Sequence, residues 1–245
     1  MRALAIVLLA GASLTAQGRG GPPPAPNTAA PIDLTGYWVS VVNEDWRWRM
    51  VTPNKGDTSS IPLNAAGTKA AGSWDPATDG ACLAYGAAGL MRMPTRLNVT
   101  WENPTTLKIE TDAGQQTRRL LFARSPLAPS AVEGEPGARS LQGHSVTEWE
   151  RPAAGRGAPP PVGGSLKVTT TNLLAGWLRR NGVPYSENAT MTEHFDRFAT
   201  PGGDQWLVVT TIVNDPTYLT AEFVTSSHFK KEPTGAKWSP SPCKS

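Results

Sequence analysis

The chain is 245 residues long, with 23 Lys and Arg against 20 Asp and Glu and two cysteines. Its formal charge of +3 is too slight to imply a nucleic-acid partner, and most of the close basic pairs, Arg47 and Arg49, Arg118 and Arg119, Arg179 and Arg180, and Lys230 and Lys231, read as solvated strand edges. No Gly-x-Ser-x-Gly elbow, Walker loop or dinucleotide fingerprint is present, which removes the serine-hydrolase elbow and the common nucleotide-binding signatures.

Residues 1–16 read as a cleavable export signal: Arg2, an unbroken apolar run from Ala3 to Leu9, then small residues up to Ala16. The run is far shorter than the roughly 20 apolar residues of a membrane anchor. Cleavage after Ala16 leaves Leu14 three positions before the cut, and Ala10-Gly11-Ala12 offers a second site. The expected location is periplasmic or secreted, with no membrane span. Residues 17–31 are rich in Pro and Gly and suit a spacer, and residues 32–245 are enough for a single β-rich domain with its own core.

The stretch from Asp33 to Val51 predicts one long first strand. Trp38, Val42, Trp46, Trp48 and Met50 fall on one parity, interrupted by Glu44, while Asn43, Asp45, Arg47 and Arg49 fall on the other. Which face looks inward is left open by parity alone. Asn64 to Trp74 is Ala-rich and led by an Asn, so it predicts a short capped helix ended by Asp75-Pro76, a lid or plug. Alternation around Leu97 to Trp101 and Leu107 to Ile109, joined by Asn103-Pro104, predicts a hairpin, followed by a strand over Gln116 to Phe122.

Residues 125–139 and 151–164 are aperiodic Pro-, Gly- and Ala-rich loops. Strands are expected over His144 to Trp149, Leu166 to Thr171, Thr190 to Phe198, Gln205 to Val213 and Glu222 to Phe229, with turns at Gly202-Gly203 and Asn214-Asp215-Pro216. The insertion from Asn172 to Gly182 fits a short amphipathic helix ending at Gly182 or a loop over a barrel mouth, with Trp177 packing it down or touching ligand. Consecutive hairpins with little helix predict an all-β fold: an antiparallel meander closed into a barrel of about 8–10 strands.

Cys82 and Cys243 are expected to pair after export. The bridge would close a loop of about 160 residues and pin the Pro-rich tail, stabilising by roughly 5 kcal/mol in the chain-entropy account.

At Gly36-Tyr37-Trp38 the sequence resembles the first motif of the lipocalins, in which the Trp plugs the closed end of a barrel. Asp215 to Tyr218 stands in the place of their Thr-Asp-Tyr step, and Lys230 or Lys231 stands where they carry an Arg. The order of segments LTGYW, WDP, GHSVTEWE, Thr192-Glu193-His194-Phe195 and NDPTYLT is similar to that of uncharacterised exported bacterial proteins described as lipocalin-like. The resemblance implies a barrel and an envelope location, and no particular activity.

Met191, Glu193, Phe195 and Arg197 share a strand face, so a carboxylate sits among apolar side chains and needs a cation. Arg197 is the expected partner, either as a structural ion pair or, with Glu193 and Glu44 as acid and base, as catalytic machinery. His144, His194 and His228 lack metal-ligand spacing, and no metal or cofactor is expected. Trp46, Trp48, Arg47, Arg49, Trp149, Trp177 and Tyr185 are the candidate ligand-binding residues. The leading expectation is an exported, monomeric barrel that binds a small apolar or amphipathic ligand. A barrel enzyme (hydrolase, isomerase or cyclase) and an envelope interaction protein with contacts on its Pro-rich loops are the alternatives.

Overall fold

The computed structural model describes residues 23–77, 79, 82–122, 137–153 and 162–243. The export signal at 1–16 and most of the two Pro-rich loops lie outside the described residues. In chain order the elements are β1 (Gly36–Val41), α1 (Trp46–Arg49), α2 (Ala65–Ser73), a 3₁₀ turn (Leu83–Tyr85), α3 (Ala87–Leu90), β2 (Arg96–Asn103), β3 (Thr106–Thr111), β4 (Thr117–Phe122), β5 (His144–Glu150), β6 (Ser165–Thr171), β7 (Gly176–Arg179), β8 (Val183–Tyr185), β9 (Thr190–Ala199), β10 (Gln205–Asn214) and β11 (Phe223–Glu232).

Nine of these strands close into a barrel in the order β1-β11-β10-β9-β6-β5-β4-β3-β2, and β7 and β8 form a separate hairpin. Closure leaves no exposed sheet edge on the barrel. One neighbour pair departs from the expected meander: β4 and β5 run parallel, Leu120 against Ser145 and Phe122 against Thr147. A tight turn can join only antiparallel strands, and the long connection between Phe122 and His144 lets the chain return to the end where β4 began.

The alternating strands send one parity inward. Trp38, Leu97, Ile109, Leu120, Val168, Phe195, Val209 and Phe229 are all 2% exposed or less and belong to one apolar cluster that fills the barrel. Trp38 is fully buried; its indole donates to Leu34 O at 2.9 Å, and Lys231 Nζ lies 4.4 Å from its ring centroid. Gly36 has a φ of 103°, and a Cβ there would stand 2.9 Å from Lys231 Nζ. The glycine therefore serves both the left-handed backbone and the approach of that lysine.

The first strand is shorter than its alternation predicts. Its ladder to β2 ends at Val39 against Arg96, so beyond Val41 it would have no neighbour on that side. The chain instead turns through Asp45, whose φ is 51°, into the helical turn α1. This reverses the faces: Trp46 is 62% exposed while Arg49 is 2% exposed.

The segments between β1 and β2 and between β6 and β9 cover one barrel end. Here α3, β7 and β8 pack on Met191, Val213 and Phe223 in a second apolar cluster that includes Ile61, Leu178 and Tyr185. α2 forms as its sequence implies, with Asn64 accepting from Gly67 N at 2.9 Å and anchoring to Thr217 O at 3.0 Å. The insertion at 172–182 is neither helix nor bare loop, because Gly182, with φ 76°, turns β7 into β8. Cys82 and Cys243 form a disulfide that ties the C-terminal tail beside the 3₁₀ turn. No helix among the described residues is long and apolar enough to cross a membrane.

Candidate functional site

Three places gather the chemistry: the middle of the barrel, its covered end and its opposite end. In the middle, Glu193 on β9 is fully buried, as its parity implies, but its partner is Arg118 on β4. The guanidinium reaches across the lumen to make two bonds, Nη2 to Oε2 at 2.6 Å and Nη1 to Oε1 at 3.0 Å. Thr170 Oγ1 lies 3.4 Å from Nη2 and 2.8 Å from Ser145 Oγ.

Arg197 does not pair with Glu193. It lies near the end of β9 beside the 49%-exposed Phe198, and its Nη2 donates to Gln205 Oε1 at 2.9 Å. Two residues along a strand carry it roughly 7 Å away, whereas the opposite wall can present a cation head-on. Glu44 is apart from both. It lies in the turn after β1, pairs with Arg49 and meets His228 Nδ1 at 2.8 Å, on the outward parity of β11. Glu193 and Glu44 thus share no partner, and Glu193 is closed in by Arg118, so the two do not form a common acid–base site. Burial, followed by the nearby Arg49, pushes the His228 imidazole below its usual value.

At the covered end, α1, the turn after α3, and the end of β7 gather five arginines around Trp48. Arg49 Nε donates to Arg92 O at 2.8 Å, Arg92 Nη2 to Asp45 Oδ2 at 2.9 Å, and Arg180 Nη2 to Arg49 O at 2.9 Å. The Arg179 guanidinium lies 4.5 Å and that of Arg47 5.0 Å from the Trp48 ring centroid, whose Nε1 donates to Asp57 Oδ2 at 3.0 Å. Desolvation, then the charge of Arg92, lowers both Arg49 and Arg179 to about 10, so both stay cationic at neutral pH. The expected ligand residues Trp48, Arg47 and Arg49 do converge here; Trp46 points away.

Two other candidates serve packing. Trp177 donates to Asp79 Oδ1 at 2.9 Å, while Trp74 donates to Oδ2 of the same carboxylate at 2.8 Å. Tyr185 is fully buried against Gly86 and Gly176, where an added Cβ would meet its hydroxyl at 2.0 and 2.6 Å. Burial pushes that phenol up.

At the opposite end, Trp101, Phe122 and Trp149 form a ring cluster with centroids 5.3–6.5 Å apart. The chain before β1, expected to be a spacer, lies over them in its described part. Trp149 Nε1 donates to Pro26 O at 2.9 Å, Asn27 N to Pro104 O at 3.2 Å, and Arg151 to Ala29 O. Between this strap and the barrel is a cleft of about 220 Å³ lined by Asn27, Ala30, Pro31, Ile32, Asp33, Leu34, Trp101, Leu107 and Trp149. Burial raises the Asp33 carboxyl, but hydrogen bonds from Thr35 and the charges of Lys231 and Arg197 outweigh it and hold it below the usual carboxylate range.

The residues that sequence reasoning missed are Arg92, Arg118 and Trp101, and Arg118 and Arg179, read as members of solvated basic pairs, are instead buried. Arg118 had a signal, since it shares parity with Leu120 and Phe122. Among the described residues no group of three or more His, Cys, Asp or Glu is placed to hold a metal ion. No family model, curated protein or solved structure matches the chain.

Proposed function

We propose that this chain is an exported, lipocalin-like barrel that binds a small apolar or amphipathic ligand between its N-terminal strap and the Trp101–Trp149 wall. The observation that carries the reading is the strap cleft, about 220 Å³ in volume. Its apolar lining from Trp101, Trp149, Leu107, Ile32 and Leu34 is joined by two polar groups, Asn27 and Asp33, a composition typical of small-molecule pockets. Among the described residues the barrel lumen is filled by the apolar cluster and the Arg118–Glu193 pair. Lys231 and Arg197 act on Asp33, so the polar head of an amphipathic ligand would meet both signs of charge at the cleft's edge.

Two further features support the broader reading. The Cys82–Cys243 disulfide suits an oxidising compartment outside the cytoplasm. The lipocalin likeness gains support from the buried Trp38 with Lys231 against its ring, at the strand position where the resemblance expects a basic residue.

The test is fluorescence titration with 1-anilinonaphthalene-8-sulfonate and with dodecanoate as displacing ligand. One-site saturation is expected, weakened about tenfold or more, at least 1.4 kcal/mol, by Trp149→Ala and by Trp101→Ala. Non-saturating binding, or affinities untouched by both substitutions, would contradict the proposal.

A further inference from the structure

The covered end of the barrel carries a charge problem that the groups of the described residues do not solve. Arg179 is 4% exposed and Arg92 5% exposed. Arg92 is paired with Asp45, yet its Nη1 has no hydrogen-bond partner among the described residues, and Arg179 lacks partners for both Nε and Nη1. Among the described residues no carboxylate forms an ion pair with Arg179. Asp45 and Asp57 act on it only at a distance, and it packs on the face of Trp48, which attracts a cation but cannot neutralise it.

The neighbourhood deepens the imbalance. Arg47, Arg49, Arg92, Arg179 and Arg180 meet three carboxylates, Glu44, Asp45 and Asp57, which leaves a surplus of two positive charges. His228 sits on Glu44 and adds no negative charge. A buried charge without a partner is strongly unfavourable, and guanidinium cannot escape by losing its proton at neutral pH. A neutral water could satisfy N–H groups but would leave the charge uncompensated.

The space between these groups decides what the missing charge can be. The pocket is walled by Ala84, Gly89, Met93 and Leu178 besides Trp48 and the arginines, and its free volume is about 10 Å³. That is on the order of one water-sized sphere. A tetrahedral phosphate or sulfate would have to part the walls widely, whereas a chloride, somewhat larger than a water, needs only a small outward shift of them.

We propose that this pocket binds one chloride-sized anion, held by the unpartnered N–H groups of Arg92 and Arg179 beside Trp48. The site is distinct from the strap cleft at the other end of the barrel, and its loss would leave binding there in place. The anion would fix α1, α3 and β7 to one another, since each donates a residue to the pocket.

Protein freed of halide is melted in sodium gluconate and in sodium chloride at matched ionic strength, so that general screening is equal. A saturating rise in melting temperature with chloride is expected, because an anion that binds only the folded chain stabilises by mass action. Crystals soaked in sodium bromide should show one anomalous peak in contact with the Arg92 and Arg179 guanidinium groups. Arg179→Met should abolish both signals, and Arg179→Lys should restore part of the chloride shift. Should these variants not fold, the wild-type melts and the bromide peak decide the matter alone. Equal melting in the two salts overturns the proposal. So does a shift given by phosphate or acetate and not by chloride, and so does a bromide peak without any shift in solution, which would mean binding at crystal concentration only.

Discussion

Arg118 and Arg179 are both removed from water, and the protein treats them in opposite ways. Arg118 crosses the lumen to a carboxylate that matches its fork with two bonds, each side chain fully buried. Arg179 is packed on Trp48 at the covered end with two N–H groups left over among the described residues. Burial alone therefore does not say what an arginine is for. Arg118 also leaves one nitrogen, Nε, without a hydrogen-bond partner among the described residues, but Glu193 neutralises its charge from within; a buried guanidinium whose charge no carboxylate pairs implies something from outside.

Removing either member of the lumen pair is expected to have the largest effect. Glu193→Gln or Arg118→Met should lower unfolding free energy by about 3–5 kcal/mol in urea denaturation, because each leaves an uncompensated buried charge or a broken fork. The double substitution Arg118→Met with Glu193→Leu should recover most of that loss, since a well-packed apolar pair can replace a buried ion pair. A double variant no better than either single one would mean that the pair supplies more than charge balance.

Arg179→Met should behave in the contrary direction. In halide-free buffer it removes an unpaired buried charge and is expected to raise stability by about 1 kcal/mol, measured by the same denaturation. A loss as large as that of Arg118→Met would erase the distinction between the two arginines.

The smallest expected effect is pH dependence through His228. Its folded pKa lies below the ordinary value, first through burial and then through Arg49. The unfolded chain then binds more protons as pH falls below about 6.5. The contribution is present above that value and is lost as pH falls through the folded pKa. His228→Gln should flatten this part of the stability profile between about pH 7 and pH 5; an unchanged slope would assign the dependence to other groups.

The same contrast explains how much could be read from sequence. The barrel strands were legible because one face is buried, so Leu97 and Val99 alternate with Asn98 and Thr100 along β2. The cap at Asn64 and the pairing of Cys82 with Cys243 rested equally on local chemistry and a two-member count. The first strand misled because Trp46, Trp48 and Met50 keep a strand parity after the sheet has ended, and only the ladder's other side, at Arg96, sets that limit. The β7–β8 hairpin is too short for a period to show.

The candidate site was legible in part. Trp48, Arg47 and Arg49 were marked by density of aromatic and basic residues, and Trp149 by its strand, but their convergence with Arg92 and Arg179, or with Trp101, depends on contacts far along the chain. Arg197 is the partner the sequence suggests because it is the near neighbour on the same strand face, whereas in the closed barrel the partner, Arg118, comes from another wall.

The most direct measurement is a set of melts of the wild type, Arg118→Met and Arg179→Met, each in sodium chloride and in sodium gluconate at matched ionic strength. Arg118→Met is expected to melt lower than the wild type in both salts while keeping the chloride-dependent rise, and Arg179→Met to lose that rise. A chloride response that survives Arg179→Met, or one absent from the wild type, would contradict the account.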